Sequence, residues 1–308
     1  MSTKATRSHV ENRWQETGVA SLGGLERLVY RSNRLGDDQS VTNTGGGNTS
    51  SKIIEQDPLT GEDIEVLWVK GSGGDLRTSQ SGHFASLRMQ DLHQLKDVYA
   101  SRPTTGIKSE AEDEMVGLYR ECVHNLNPRA SSIDTPLHAF IPAKHVDHTH
   151  PNAVIAIAAC ERGEEVAREV YGDEVPWLPW MRPGFELGLA LQELCEQNPQ
   201  AVGAIMGQHG LINWADEDQL CYERSIELIE RAAVYLEEHD RGDATFGGQR
   251  FASLDHDARR SVFVSILPWL RGRVSAQRRM IGTIQDDDAM LPITSRGPHR
   301  IFASFTIS

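Results

Sequence analysis

Histidines are the residues of this sequence best suited to chemistry. The chain has 12, and three fall within His145-Val146-Asp147-His148-Thr149-His150. On a strand, side chains two positions apart share a face, so His148 and His150 project together and could reach one metal ion. Zinc accepts neutral imidazole nitrogen, and at catalytic sites it takes three protein ligands and leaves one position open. The third ligand must come from elsewhere in the chain. His209 is the best candidate: it sits near the end of an apolar strand and precedes Gly210, where that strand turns at a sheet edge. A His-x-His pair alone is a common accident on an exposed strand. The distant strand-end His-Gly is what raises the metal reading. His145 is three positions from His148, off that face, and reads as a supporting or structural residue. His138 lies four residues after Asp134 and is either its local partner or a packing residue.

Two glycine-rich turns are the second feature. Gly45-Gly46-Gly47-Asn48 and Gly71-Ser72-Gly73-Gly74 lie at opposite ends of a pair of β-type runs. Glycine lets backbone N–H groups approach an anion, and such concave nests bind phosphate. Asn48 and Ser72 add side-chain donors, and Lys70 could add positive charge. Either loop alone reads as a plain turn; two on one hairpin could line one side of a cleft. Neither is a P-loop, because no Lys-Ser/Thr follows the last glycine, and no GxGxxG opens a dinucleotide site.

These residues must be positioned by regular elements. A helix is expected over Leu22–Leu35, then strands over 51–55 and 64–71 around an Asp57–Glu62 turn. Residues 83–123 read mainly as helices. A strand over Lys144–His150 leads into a helix opened by Pro151. Another helix covers 185–196, and the run from Ala201 to Trp214 reads as a strand turning near Gly210. Asp216 is expected to cap the next helix, answered by Gln219 in a capping box. In that helix Tyr222, Ile226, Ile229, Ala233 and Leu236 form one buried stripe. The expected organisation is a lead-in over 1–20, one domain over 21–242, a helical linker over 243–288, and a poorly ordered tail over 289–308.

Composition narrows the function. The 308 residues carry a net charge of −13, which repels phosphate backbones and anionic lipid, so nucleic-acid and membrane-surface binding are poor readings. A small anionic substrate remains compatible with a locally positive site. Cys122, Cys160, Cys195 and Cys221 are widely spaced, so neither a thiolate metal site nor a disulfide framework is expected. The longest apolar run, Ala153 to Cys160, is too short to span a bilayer, and the first residues carry no signal-peptide apolar region. A cytoplasmic protein is expected.

Taken in order, the segments 45–50 (GGGNTS), 69–75 (VKGSGGD), 131–138 (SSIDTPLH), 145–151 (HVDHTHP), 178–184 (LPWMRPG) and 207–210 (GQHG) resemble the class II aldolase/adducin family. No single segment is specific; their order and spacing are. The resemblance covers roughly residues 20–240 and is strongest to rhamnulose-1-phosphate aldolases, in particular the aldolase half of bifunctional aldolase/dehydrogenase proteins. It implies an α/β fold, a three-layer α/β/α sandwich around a largely antiparallel sheet, and a homotetramer with sites near subunit interfaces. It implies Zn²⁺ on His148, His150 and His209, and substrate phosphate on Asn48, Ser72, Gly73 and Ser132. A second family serine falls on Ile133. The family's aldolases carry glutamate where this chain has Asp134, whereas related ribulose-phosphate epimerases carry aspartate there. Asp134 is the first choice for the catalytic base. Glu174, which resembles an extra acidic residue of the rhamnulose-phosphate enzymes, is the second choice, with Asp173 beside it. The implied reaction is aldol cleavage of a sugar phosphate. The ending from Pro292 has no counterpart in those relatives and reads as that of a truncated or frameshifted product.

Overall fold

The computed structural model describes residues 8–43, 46–102, 108–126, 129–242, 252–277 and 279. The chain divides into two compact units, Met1–Glu238 and His239–Ser308. The expected tail, 289–308, lies outside the described residues.

Among the described residues of the first unit, seven strands form one sheet: β1 (Asn48–Gln56), β2 (Asp63–Lys70), β3 (Phe84–Arg88), β4 (His145–Thr149), β5 (Trp177–Leu178), β6 (Gly203–Met206) and β7 (Gly210–Ala215). Their order is β3-β2-β1-β4-β7-β6-β5. All neighbours are antiparallel except β5 and β6, so the sheet is largely antiparallel, as expected. The β1–β2 turn closes because the Asp57 carboxylate accepts from the N–H groups of Leu59 and Thr60.

Among the described residues, eight α-helices cover the two faces: α1 (Gly24–Gly36), α2 (Met89–Ala100), α3 (Lys108–Leu118), α4 (Thr135–Phe140), α5 (Asn152–Ala158), α6 (Gly163–Tyr171), α7 (Phe185–Gln197) and α8 (Asp218–His239). Strand alternation sorts the core. Ile205 and Leu211 meet Leu35, Ile157, Tyr171 and Ile229 of α1, α5, α6 and α8. Their neighbours Met206 and Ile212 point the other way, onto Leu137 of α4 and Leu191 of α7. A third cluster packs Leu67 and Leu87 on Leu92, Met115 and Phe185. The result is a three-layer α/β/α sandwich. In the second unit, α9 (His256–Val274) is the described element, within the expected helical linker.

The described part of the lead-in is tied to the domain: the Glu230 carboxylate accepts from the N–H groups of His9 and Val10, and the Tyr222 hydroxyl accepts from Arg13 N, before a short 3-10 turn at Val19–Ser21. Two expectations change. Within 83–123 the structure has a strand, β3, because Phe84–Arg88 pairs with the free edge of β2. Asp216 does not cap α8. Its carboxylate accepts from Lys144 N at 3.2 Å, and the helix begins at Asp218.

The α1 face hides an ion pair. Arg31 and Asp147 are both fully buried, with Nε 2.9 Å from Oδ1. The remaining guanidinium protons reach Ser50 O and the ring of His145, and Cys221 donates to the other Asp147 oxygen. The pair ties α1 and α8 to β4 from behind, opposite the face that carries His148.

Candidate metal centre

Period-two alternation on β4 sends His145, Asp147 and Thr149 toward α1 and α8, and Val146 and His148 toward α4 and α7. His150 follows on the same side as His148, where Pro151 ends the strand and α5 starts. His209 belongs to the tight turn between β6 and β7. That turn closes with His209 N donating to Met206 O at 3.0 Å and is pinned by Gln208 N to Ala158 O at 2.8 Å. Gln208 has φ 56, the one positive φ among the described non-glycine residues, so the turn holds backbone strain beside the histidine.

The three rings converge. Centroids of His148 and His150 lie 4.6 Å apart, His148 and His209 4.8 Å, and His150 and His209 5.1 Å. One nitrogen from each falls within 4.8 Å of the others. Such a cluster fits a single ion with imidazole bonds of about 2.0–2.1 Å. Gly210 permits the approach: a Cβ there would stand 2.7 Å from Thr149 O and 2.8 Å from His150 Cδ2.

Protonation favours a metal. His148 Nδ1 lies 2.8 Å from Leu211 O and donates to it, which leaves Nε2 with a lone pair aimed at His150 Nε2, 2.9 Å away. Burial pushes His148 well below the ordinary histidine range, and the neighbouring His150 and His209 push it further. Burial likewise lowers His150 and His209, opposed in both by the Asp134 charge. Three neutral imidazoles with facing nitrogens are a ligand set for a divalent cation rather than for a proton.

Asp134 stands beside them at the start of α4. Its Oδ2 accepts from Asn48 Nδ2 at 2.7 Å, while its Oδ1 is buried with no hydrogen-bond partner. A buried carboxylate oxygen whose charge acts on His150 and His209 fits a site for a cation or a substrate proton. Asn48 pairs with His148 across β1 and β4, and its Nδ2 also reaches Ser132 Oγ at 3.3 Å. The Asn48 carbonyl accepts from His138 Nε2 at 2.5 Å, and Ser50 Oγ lies 2.8 Å from His138 Nδ1. Asp134, Asn48, His138 and Ser50 thus form one buried chain of hydrogen bonds. Its order fixes the Asn48 amide with nitrogen toward the carboxylate.

Of the residues singled out in the sequence, His148, His150, His209, Asp134, Asn48 and Ser132 come together. Ser72 and Gly73 lie on the β2–β3 connection, joined to the Ser132 segment by Ser72 N donating to Ala130 O at 3.2 Å. Gly45 lies outside the described residues. Glu174 does not join the centre within this chain. Its backbone carbonyl accepts from Val202 N, at the end of β6 remote from His209, and its carboxylate pairs with Arg231 at 2.7 Å. Asp173 shares that turn. Sequence reasoning left His138 undecided; its place four residues after Asp134, on the short helix that Asp134 opens, was the available signal. His145, read as supporting, lies on the Arg31 side.

Two buried histidines give a measurable consequence. Burial holds His138 at about 3 and His145 at about 3, against 6.5 for a free ring, the latter helped by the charge of Arg31. Unfolding releases both rings to take up protons. Their contribution is therefore complete above pH 6.5 and is lost as pH falls toward 3. Urea denaturation from pH 7 to 4 is expected to show stability falling by up to about 1.4 kcal/mol per pH unit for each ring. His138→Gln should remove one ring's share of that slope; an unchanged slope would contradict the buried, neutral assignment.

The sequence profile of the Class II Aldolase and Adducin N-terminal domain matches residues 26–236. The chain belongs to the class II aldolase/adducin family. An uncharacterized oxidoreductase of Bacillus subtilis, YuxG, is 39% identical over 283 residues, 92% of this chain and 40% of that protein. The chain thus spans less than half the length of the curated relative it matches. The N-terminal class II aldolase domain of a conserved Thermoplasma acidophilum protein superposes with a TM-score of 0.61 at 31% identity, covering 73% of this chain and 99% of that one. The family expectation of fold is met. Among the described residues no helix is long and apolar enough to cross a membrane.

Proposed function

We propose that the chain is a zinc-dependent lyase that cleaves a ketose 1-phosphate, L-rhamnulose 1-phosphate first among candidates, to dihydroxyacetone phosphate and L-lactaldehyde. The observation that carries this reading is the convergence of His148, His150 and His209 beside the orphaned Oδ1 of Asp134. Three imidazole ligands with a carboxylate close by suit zinc with an open position. A zinc ion there would act as Lewis acid toward the C2 carbonyl and C3 hydroxyl oxygens of the ketose.

The protein groups divide the remaining work. In condensation the Asp134 carboxylate would remove a proton from C3 of dihydroxyacetone phosphate, while the aldehyde oxygen gains one as the C3–C4 bond forms; in cleavage the C4 hydroxyl gives up its proton as that bond breaks, and Asp134, in its protonated state, returns one to C3. The hydrogen bond from Asn48 engages Oδ2 and leaves Oδ1 to take the proton. Asn48, Ser72, Gly73 and Ser132 hold the phosphate, which fixes the reacting carbons relative to Asp134. Glu174 would act only across a subunit interface, in the homotetramer the family resemblance implies. A cytoplasmic enzyme is part of the same reading.

The departure from glutamate to Asp134 favours a second reading, an epimerase or dehydratase on the same class of substrate. Incubation of the zinc-loaded protein with rhamnulose 1-phosphate and fuculose 1-phosphate tests both. Dihydroxyacetone phosphate among the products supports the lyase, and an isomeric or dehydrated sugar phosphate supports the alternative. A protein that binds no zinc and turns over neither substrate would be a non-catalytic, adducin-like binding module.

A further inference from the structure

The buried ion pair behind β4 does more than an apolar contact in the same place would. Helix α1 is already seated on the sheet by Leu28 and Leu35, both fully buried. An apolar pair of similar volume in place of Arg31 and Asp147 would fill the same space, and exchanges of that kind commonly leave stability unchanged or raise it. Adhesion of α1 alone therefore does not explain two charges carried into a site with no exposure.

What the charges add is direction. A guanidinium is a planar fork whose donors lie at fixed angles, and Arg31 spreads them over two strands. Its Nε donates to Asp147 Oδ1 of β4 at 2.9 Å, and its Nη2 donates to Ser50 O of β1 at 2.5 Å. A second bond from α1 reaches the residue before Ser50: Thr49 donates to Ser32 Oγ at 2.6 Å, because the Ser32 hydrogen goes to Leu28 O. The other oxygen of Asp147 is held by the Cys221 thiol of α8, at 3.3 Å. Across the ladder Asn48 faces His148, Thr49 faces Asp147 and Ser50 faces Val146. The fork thus grips both strands within two residues of the pair that carries the site. Ser50 passes this grip through the sheet. Its carbonyl is held by Arg31, while its hydroxyl donates to His138 Nδ1 at 2.8 Å, since His138 Nε2 donates to Asn48. From Asn48 the chain of bonds continues to Asp134.

We propose that Arg31 is a positioning residue for the metal centre: by holding Ser50 and Asp147 in one fork, it sets the spacing of β1 and β4 at the Asn48–His148 pair. The inference deepens the metal reading above and rests on it. His148 comes from β4, whereas Asn48, which orients Asp134, comes from β1. The distance between the metal ligands and the carboxylate is then a distance between two strands, and Arg31 fixes it from the opposite face.

The test separates positioning from stability. In the full chain, Arg31→Met combined with Asp147→Leu removes both charges and keeps an apolar filling. The double variant should melt near the parent, yet bind zinc about 10–100-fold more weakly, the range for loss of a group that orients a ligand. Loaded with cobalt(II), it should show visible absorption bands shifted from those of the parent. Leu35→Ala is the control: it loosens α1 without touching the pair, so its melt should fall while its cobalt bands stay in place. Should the double variant not fold, Arg31→Lys decides, since it keeps a charge for Asp147 but replaces the fork by a single nitrogen; folded, it should show the same weakened zinc and shifted bands. Parent-like zinc affinity and bands in the folded double variant, or in a folded Arg31→Lys that stands in for it, would overturn the proposal. So would equal band shifts in Leu35→Ala, or failure of both Arg31 variants to fold, which would make the pair a requirement of folding. A parent that binds zinc and cobalt but cleaves no ketose phosphate would remove the lyase reading alone, and one that binds neither metal would overturn both.

Discussion

His148→Ala is expected to yield a folded protein that retains almost no zinc and no measurable cleavage of ketose 1-phosphate. The parent, by analogy with single-site catalytic zinc enzymes, should hold about one zinc per chain. Of the three rings, His148 is the one whose loss cannot be made good by local movement. It is fully buried, its Nδ1 is fixed on Leu211 O, and its Nε2 faces His150 at 2.9 Å. Two imidazoles and water hold zinc far more weakly than three imidazoles do. Loss of a group that merely supports a ligand costs up to about a hundredfold in affinity, so loss of the ligand itself should exceed that. The fold should survive, because β4 is paired on both sides and the Arg31–Asp147 pair ties its opposite face to α1. Elemental analysis after dialysis, far-ultraviolet dichroism and the cleavage assay check the three parts together. A folded variant that keeps its zinc and its activity would remove His148 from the centre.

How far this centre could be read from the sequence depended on the range of the contacts. His148 and His150 were legible because a strand's period is two, and two residues of spacing settle the face. His209 was legible as a strand-end histidine before glycine, though its strained turn was not. The hydrogen-bond chain from Asp134 through Asn48 to His138 and Ser50 joins residues up to 90 positions apart, and no local pattern announces it. Arg31 with Asp147 is a starker case. On the helix, Arg31 looks like an ordinary solvated charge, and only the packing of α1 on the sheet reveals a buried pair. The β3 strand escaped notice because five residues leading straight into a helix give too short a pattern to separate from it. Glu174 is tied to the site only by its resemblance to an acidic residue of the rhamnulose-phosphate enzymes, and a resemblance does not say at which end of the sheet a connection falls. The pairing with Arg231 and the bond to Val202 answer that within one chain.

Asp134→Asn separates the two roles open to that carboxylate. The substitution keeps an acceptor for Asn48 Nδ2 and nearly the same volume, so α4 and the chain to His138 should stay in place. It replaces the orphaned oxygen by an amide or removes its charge, and nothing else near the histidines changes. If Asp134 is the base, zinc content should stay close to that of the parent, whereas exchange of the C3 proton of dihydroxyacetone phosphate with solvent should fall by about 10²–10⁴-fold, the range for removal of a general base. Exchange read by deuterium incorporation needs no aldehyde, so the result does not depend on which sugar is the natural substrate. If Oδ1 instead completes the coordination of the metal, zinc should leave with the charge, and exchange should fall only because the metal is gone. Restoring zinc at high concentration would then restore exchange. The Coulombic pull of Asp134 on His150 and His209 limits the first case: removing it should loosen zinc modestly, not abolish it. The aspartate is one methylene shorter than the glutamate of family aldolases, and it stands at a helix start fixed by Ser132 and Thr135. A base held there would depend on the substrate's phosphate grip to bring the reacting carbon to it, so under the proposed reaction loss of that grip should lower the rate as well as the affinity.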